Sequence, residues 1–323
     1  MNLLESAYKF VGGGLSPKGA RARLTILIYH RVLPEADPIF PNETTAASFD
    51  IEMGMLKRMF NVLPLAEAVA RLKAGTLPAR AACITFDDGY ADNSTQALPI
   101  LRAHGLSACF FIATGYLNGG RMFNDTVIEA MRRAKSERID LSRLGLGEHD
   151  VSTPEAKART IGDLLPRVKY LPLGEREDTV AELARMVTDE PLPDDLMMTT
   201  EQLKSLHAAG MEIGAHTHRH PILAKLGDAD VRGEITESAE FLEGILGVRP
   251  RLFAYPNGKP GLDYLPRQAE IARDLGFQCA VSTQWGAASA GADPFQLPRF
   301  TPWSANKAKF QPQLLRNLAN SYR

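Results

Sequence analysis

Ala81-Ala82-Cys83-Ile84-Thr85-Phe86-Asp87-Asp88-Gly89-Tyr90 is an apolar run that drives into two adjacent carboxylates and then a glycine. An unbroken apolar run of this length suits a strand buried on both faces, as in a parallel sheet. Gly89 then lets the backbone turn sharply. Loops at the ends of parallel strands are where chemistry is usually carried. Neighbouring carboxylates repel, so a site that keeps both ionised supplies a cation or divides their roles. Asp-Asp-Gly after a strand is also ordinary turn chemistry. Taken alone, the stretch supports both readings.

Working outward, the same kind of run recurs. Upstream, Leu24 to Tyr29 is continuous and β-rich, and it ends on the polar pair His30-Arg31. Downstream come Ser107 to Ile112, Met211 to Ala215, Arg251 to Tyr255, Gln278 to Val281 and a short run before Pro298-Arg299-Phe300. Helical patterns separate them. Phe49 to Phe60, with Ser48 as N-cap, would pack Ile51, Met55, Leu56 and Phe60 inward. Leu65 to Lys73 and a Ser94-capped segment to Arg102 follow, and Lys307 to Asn320 reads as a closing helix. Strands alternating with helices argue for a parallel sheet with right-handed crossovers, and six or seven such units suggest a barrel. Residues about 117–198 break the rhythm: they have helical spacing and no β-rich runs, and read as a helical insertion. Domain organisation is therefore an N-terminal lead, 1–23, and one barrel domain, 24–323, carrying that insertion.

A second stretch decides between the two readings of Asp87-Asp88. Gly214-Ala215-His216-Thr217-His218-Arg219-His220 places three of the chain's seven histidines within five positions. Imidazole is a common ligand for zinc and similar metals, and two or three imidazoles with a carboxylate make an open catalytic site. Gly214 and Pro221 bracket the cluster, so it reads as a strand end and loop rather than one helix face. A basic loop without function is the plainer alternative. With Asp87 and Asp88 also at a strand end, the metal reading is preferred.

The composition is that of an ordinary folded chain: 323 residues, 45% hydrophobic and 23% charged. A net charge of −1 gives no global basic field for nucleic acid. Cys83, Cys109 and Cys279 lie in apolar strand-like runs, and an odd count offers no disulfide framework. No stretch approaches the ~20 apolar residues of a membrane helix. The first residues carry Glu5 and do not read as a signal peptide, so the expectation is cytoplasmic, with a short amphipathic N-terminal helix able to rest at a membrane surface. Oligomeric state is not legible.

Thr85-Phe86-Asp87-Asp88-Gly89-Tyr90, then His216-Thr217-x-x-His220, then Phe253-Ala254-Tyr255-Pro256-Asn257-Gly258 resemble the polysaccharide deacetylases, the NodB-homology carbohydrate esterases. The likeness covers roughly residues 24 to 303. It implies an α/β fold, a distorted (β/α)7 barrel. It implies that Asp87 is the general base and that Asp88, His216 and His220 hold a metal, with Thr217 steadying the loop. Zinc suits such ligands; cobalt, nickel or iron(II) would also fit. His218 matches no ligand position and is expected to be exposed.

Two departures matter. Many members carry Arg-x-Pro-Tyr in the third motif, where this chain has Ala254-Tyr255-Pro256-Asn257, so the arginine that orients the base is missing there. Arg299 is a candidate replacement. No histidine follows His220, so the usual C-terminal acid cannot exist. The chain is more similar to the exopolysaccharide deacetylases acting on poly-N-acetylglucosamine, whose equivalent histidine comes from the first strand. That makes His30 the candidate acid. The backbone N–H of Asn257 could serve an oxyanion. Tyr255 and Trp303 could stack on sugar faces, and Asn124 could reach the site.

The resulting expectation is a metal-dependent hydrolase that removes N-acetyl groups from an amino sugar in a polysaccharide or its precursor. An alternative is hydrolysis of another C–N bond, such as a cyclic amide, which a small closed pocket lined by Phe110, Phe111 or Trp285 would favour. A non-catalytic glycan-binding protein has no need of the four site residues.

Overall fold

The computed structural model describes residues 3–302 and 309–322. Its centre is a ring of seven parallel strands taken in chain order: β1 (Leu24–Tyr29), β2 (Ala81–Phe86), β3 (Cys109–Ile112), β4 (Glu212–Ala215), β5 (Leu252–Ala254), β6 (Cys279–Trp285) and β7 (Leu297–Arg299). Each pairs in parallel with the next along the chain. The ring closes where Ile28 N–H donates to the Phe300 carbonyl at 3.0 Å and Phe300 N–H to the Ile26 carbonyl at 2.7 Å. The barrel of seven parallel strands read from the sequence is the barrel found.

Side-chain alternation sorts the strands into two sets. Ile84, Phe86, Phe110, Ile112, Phe253 and Tyr255 pack with Met53, Leu56, Leu101, Ile235 and Leu242 of the surrounding helices. Ile26, Cys83, Cys109, Phe111, Ala254, Cys279, Val281 and Leu297 form a separate cluster of the opposite parity, which is the barrel interior. All three cysteines are free and buried.

The helices are α1 (Leu3–Leu15), α2 (Ala46–Met59), α3 (Leu65–Lys73), α4 (Leu98–His104), α5 (Phe123–Arg132), α6 (Pro154–Lys169), α7 (Leu173–Val187), α8 (Thr200–Ala208), α9 (Asp228–Leu246), α10 (Pro266–Asp274) and α11 (Phe310–Ala319). Among the described residues none is long and apolar enough to cross a membrane.

Several expectations need correction. Helix α2 starts three residues earlier than Phe49, because Thr45 and Ser48 form a reciprocal capping box. Its inward stripe is Phe49, Met53, Leu56 and Met59, with Phe60 buried just past its end and Met55 packed at the rim as expected, while Ile51 is exposed. Ser94 caps nothing: Asn93–Ala97 is a wide π-type turn leading into α4. The insertion is not purely helical. Its helices α5, α6 and α7 enclose their own apolar cluster, and a small antiparallel hairpin, Arg138–Asp140 with Glu148–Asp150, closes it. Those strands alternate exposed and half-buried polar residues around Ile139, too short a pattern to register as β in the sequence. The closing helix begins at Phe310; residues 307 and 308 of the expected span lie outside the described residues.

Candidate active site

Asp87 sits one residue past β2 and shares the inward parity of Cys83 and Thr85. Its carboxylate is clamped in two parallel bonds by Arg299, Nη1 to Oδ1 at 2.6 Å and Nη2 to Oδ2 at 2.7 Å. Arg299 reaches across the barrel from β7, and its Nε donates to the Ser282 carbonyl at 2.8 Å. Both side chains are almost wholly buried. Burial alone would raise the Asp87 pKa; the Arg299 charge and its hydrogen bonds, with His216 and His30, bring it below the usual carboxylate value.

Asp88 would point to the opposite side if the strand continued. It does not, because Asp88 adopts φ 75 and Gly89 follows at φ 94, so both carboxylates face one cavity. Across from it, His216 immediately follows β4. Its Nδ1 donates to the Ala254 carbonyl at 2.7 Å, which turns Nε2 toward Asp88 Oδ1, 3.5 Å away. His220 Nε2 lies 3.5 Å from the same oxygen. Asp88, His216 and His220 each offer an atom within 4.8 Å of the others, all from buried side chains. Burial would raise Asp88, but His216 and His220 hold it well below the usual carboxylate range. Burial pushes the His220 ring down to about 3, so it is a neutral donor at physiological pH, and its Nδ1 is buried without a partner. Burial lowers His216 too, but Asp87 and Asp88 outweigh it and raise the ring. Two imidazoles and a carboxylate converging at these distances fit a divalent cation.

The strand end that delivers the histidines depends on Gly214. A Cβ there would meet the Phe111 ring at 2.4 Å and the Leu252 carbonyl oxygen at 2.9 Å. Thr217 then takes φ 63, rare for a β-branched residue, and His220 φ 52. The Thr217 hydroxyl donates to the His216 carbonyl at 2.6 Å and accepts the His220 N–H at 3.1 Å, tying the two imidazole-bearing residues together. With Asp88, and with Asn257 at φ 59, four of the six non-glycine residues at positive φ among the described residues surround this site.

The cavity above it, about 420 Å³, is lined by His30, Asp87, Asp88, His216, His220, Asn257 and Thr283 from the barrel and by Phe123, Asn124, Leu165, Pro166, Lys169 and Tyr170 from the insertion. His30 is exposed at its mouth. Asn124 reaches the cavity, as does Asn257, and each keeps one buried amide atom without a partner, Oδ1 and Nδ2 respectively. Phe110 and Phe111 are core residues and Trp285 is exposed; none of the three lines the cavity.

Tyr255 does not. It has the outward parity of β5, donates its hydroxyl to the Phe295 carbonyl at 2.8 Å and stacks on Tyr264 with centroids 3.8 Å apart, so it is a core residue. His218 is half-buried rather than exposed: its ring lies 3.0 Å from the Thr114 hydroxyl and 3.4 Å from a Glu237 carboxylate oxygen. Trp303 lies outside the described residues.

Three supports escaped sequence reading. Glu234, buried on α9, accepts the backbone N–H groups of His218 and Arg219 at 3.1 and 2.8 Å and so pins the histidine loop. The signal available for it was a charge inside the apolar stripe Val231, Ile235, Ala239, Leu242. Asp92 pairs with Arg31 at 2.8 Å and accepts the Val32 N–H at 3.0 Å, while Asn93 Nδ2 donates to the His30 carbonyl at 2.8 Å, which fixes the turn bearing His30. Tyr90 donates to the buried Asp125 carboxylate at 3.1 Å. Burial, with Asp88 adding to it against the pull of Arg31, pushes Asp125 up to about 7.

The geometry has counterparts among known proteins. A Bacillus subtilis (strain 168) protein named for polysaccharide deacetylation, YxkH, is 22% identical over 280 residues, 86% of this chain and 71% of its own. Solved structures share the fold. A Streptococcus pyogenes deacetylase, PplD, in complex with acetate has TM-score 0.59 at 19% identity, covering 92% of this chain and 98% of its own. IcaB from Ammonifex degensii has TM-score 0.58 at 19% identity, covering 94% and 98%. The family model for polysaccharide deacetylase matches residues 74–280, which run from the end of α3 to β6 and include both motifs that carry Asp88, His216 and His220. The chain belongs to the polysaccharide deacetylase family.

Proposed function

We propose that this protein is a metal-dependent hydrolase that removes N-acetyl groups from amino sugars of a polysaccharide or its oligosaccharide precursor. The observation that carries the reading is the division of labour between two adjacent carboxylates. Asp87 is held ionised by Arg299, whereas Asp88 faces His216 and His220.

A divalent metal held by Asp88, His216 and His220 would polarise the acetamide carbonyl and stabilise the oxyanion formed on attack. Zinc is the preferred ion, with cobalt, nickel or iron(II) compatible with the same donors. Asp87 accepts the proton of the attacking water. Arg299 fixes the orientation of that carboxylate and keeps it anionic until the proton arrives. His30, at the cavity mouth, delivers a proton to the leaving amine as the tetrahedral intermediate collapses. The Asn257 N–H supports the oxyanion, and the Asn257 and Asn124 side chains meet sugar hydroxyl or amide groups. A cavity walled by Asn124, Phe123 and Tyr170 rather than sealed by Phe110 and Phe111 favours a glycan over a small cyclic amide.

The test is a pair of variants read for bound metal and for acetate. Asp88→Ala should lose both, whereas Asp87→Asn should keep metal at wild-type stoichiometry while acetate release falls about 10²–10⁴-fold. Equal metal loss in the two variants would overturn the division of roles.

A further inference from the structure

Beside the catalytic cavity, and separated from it by Phe123, lies a second cavity of about 400 Å³ between the start of α5 and the helix α7. Arg176 projects into it from α7 and is 2% exposed. Its guanidinium lies over the Phe123 ring, 4.4 Å from the centroid. Its Nε is buried without a hydrogen-bond partner, and no carboxylate pairs with it among the described residues. A buried, unpaired guanidinium is expensive, because removing the charge from water is compensated only by a counter-charge or hydrogen bonds. Stacking on Phe123 recovers part of that and leaves the in-plane N–H edge free.

The same cavity receives a second cation, Arg121, which is held half-buried by Nη1 to the Pro193 carbonyl at 2.6 Å and Nε to the Thr126 hydroxyl at 3.1 Å. Glu177 also borders it but is exposed. Tyr116, on the remaining side, donates its hydroxyl to the Arg219 carbonyl at 2.8 Å, one residue from His220. The pocket thus adjoins both the cavity wall and the histidine loop.

We infer that this pocket binds an oxyanion carried by the substrate, a carboxylate or phosphate on the glycan, received by the free N–H edge of Arg176 with Arg121 as the second charge. This deepens the deacetylase reading and rests on it for the identity of the ligand's carrier, though not for the anion site itself. Arginine's planar fork matches both anions in two parallel charge-assisted bonds.

Calorimetric titration of the whole chain with inorganic phosphate, and separately with glucuronate, tests the site directly. The expected result is one binding event, weakened about tenfold or more by Arg176→Met, which keeps an apolar stem in place of the guanidinium, and partly restored by Arg176→Lys. Absence of binding in the wild type, or undiminished binding in a folded Arg176→Met, overturns the inference. Should Arg176→Met fail to fold, Arg121→Gln reads the same weakening from a half-buried position. Acetate release then distinguishes the two levels. An acidic N-acetylated oligomer should be preferred over a neutral one, with the ratio of kcat/KM values falling about tenfold in Arg176→Met and less in Arg176→Lys. Anion binding without acetate release from either oligomer would retain the pocket and remove the glycan assignment, whereas acetate release with no acidic preference and no phosphate binding would do the reverse.

Discussion

Asp87 and Asp88 are buried carboxylates of one dipeptide with different partners, Arg299 for the first and the His216 and His220 rings for the second. The Arg299 clamp gives a sharp expectation. Arg299→Met leaves Asp87 buried and uncompensated, a situation that typically costs about 3–5 kcal/mol. Because the folded Asp87 pKa lies below its unfolded value, its contribution is present above about pH 4 and lost as pH falls through the folded value. The variant should therefore be destabilised most at neutral pH and approach the wild type on acidification, which denaturant titration at pH 7 and pH 4 would measure. A deficit that does not change with pH would mean that Arg299 acts through packing alone. His30→Ala, by contrast, should retain metal and stability and lose about 10²–10⁴-fold in rate, measured as acetate release; near-wild-type turnover would dismiss His30 as the acid.

Among the elements, alternation along the strands explains which residues were legible. Ala81 to Phe86 announces a buried strand, and its end announces a site, so Asp87, Asp88, His216 and His220 were readable as a group. Arg299 was readable only as a candidate, because its clamp spans 212 residues of chain. Tyr255 was misread because a motif places it next to the site while the pleat turns it outward. Glu234 left only the trace of a charge within a buried helical stripe, and the Arg31–Asp92 pair acts through a tertiary contact that no local pattern announces. Asp125, in the first turn of α5, yields a prediction at this scale. Its folded pKa, about 7, exceeds the unfolded carboxylate value, so the folded state binds the extra proton and stability declines as pH rises from about 4 to 7. Asp125→Asn should flatten that decline and be relatively more stable than the wild type at pH 8 than at pH 5, as thermal melts at the two values would reveal. The histidine loop yields another: Thr217→Ala removes the hydroxyl that ties His216 to His220 and should weaken metal affinity about 10–100-fold.

For the molecule as a whole, the barrel was legible because seven β-rich runs alternate with helices, whereas its closure through Phe300 and Ile26 was not, since a single bridge leaves no periodic trace. The insertion was legible as helical, but not as a wall of the active site. Leu165, Pro166, Lys169 and Tyr170 lie far in sequence from both motifs, and only the packing of α6 brings them over His216 and Asp88. Metal should stabilise the folded chain through its three buried donors; at 100 times its Kd the gain is about 2.7 kcal/mol. The most direct measurement is acetate release from an N-acetylglucosamine oligomer by chelator-stripped protein, before and after stoichiometric zinc. The account predicts no release from the stripped protein and restored turnover on reloading. Undiminished release from the stripped protein, or none at any metal loading, would contradict it.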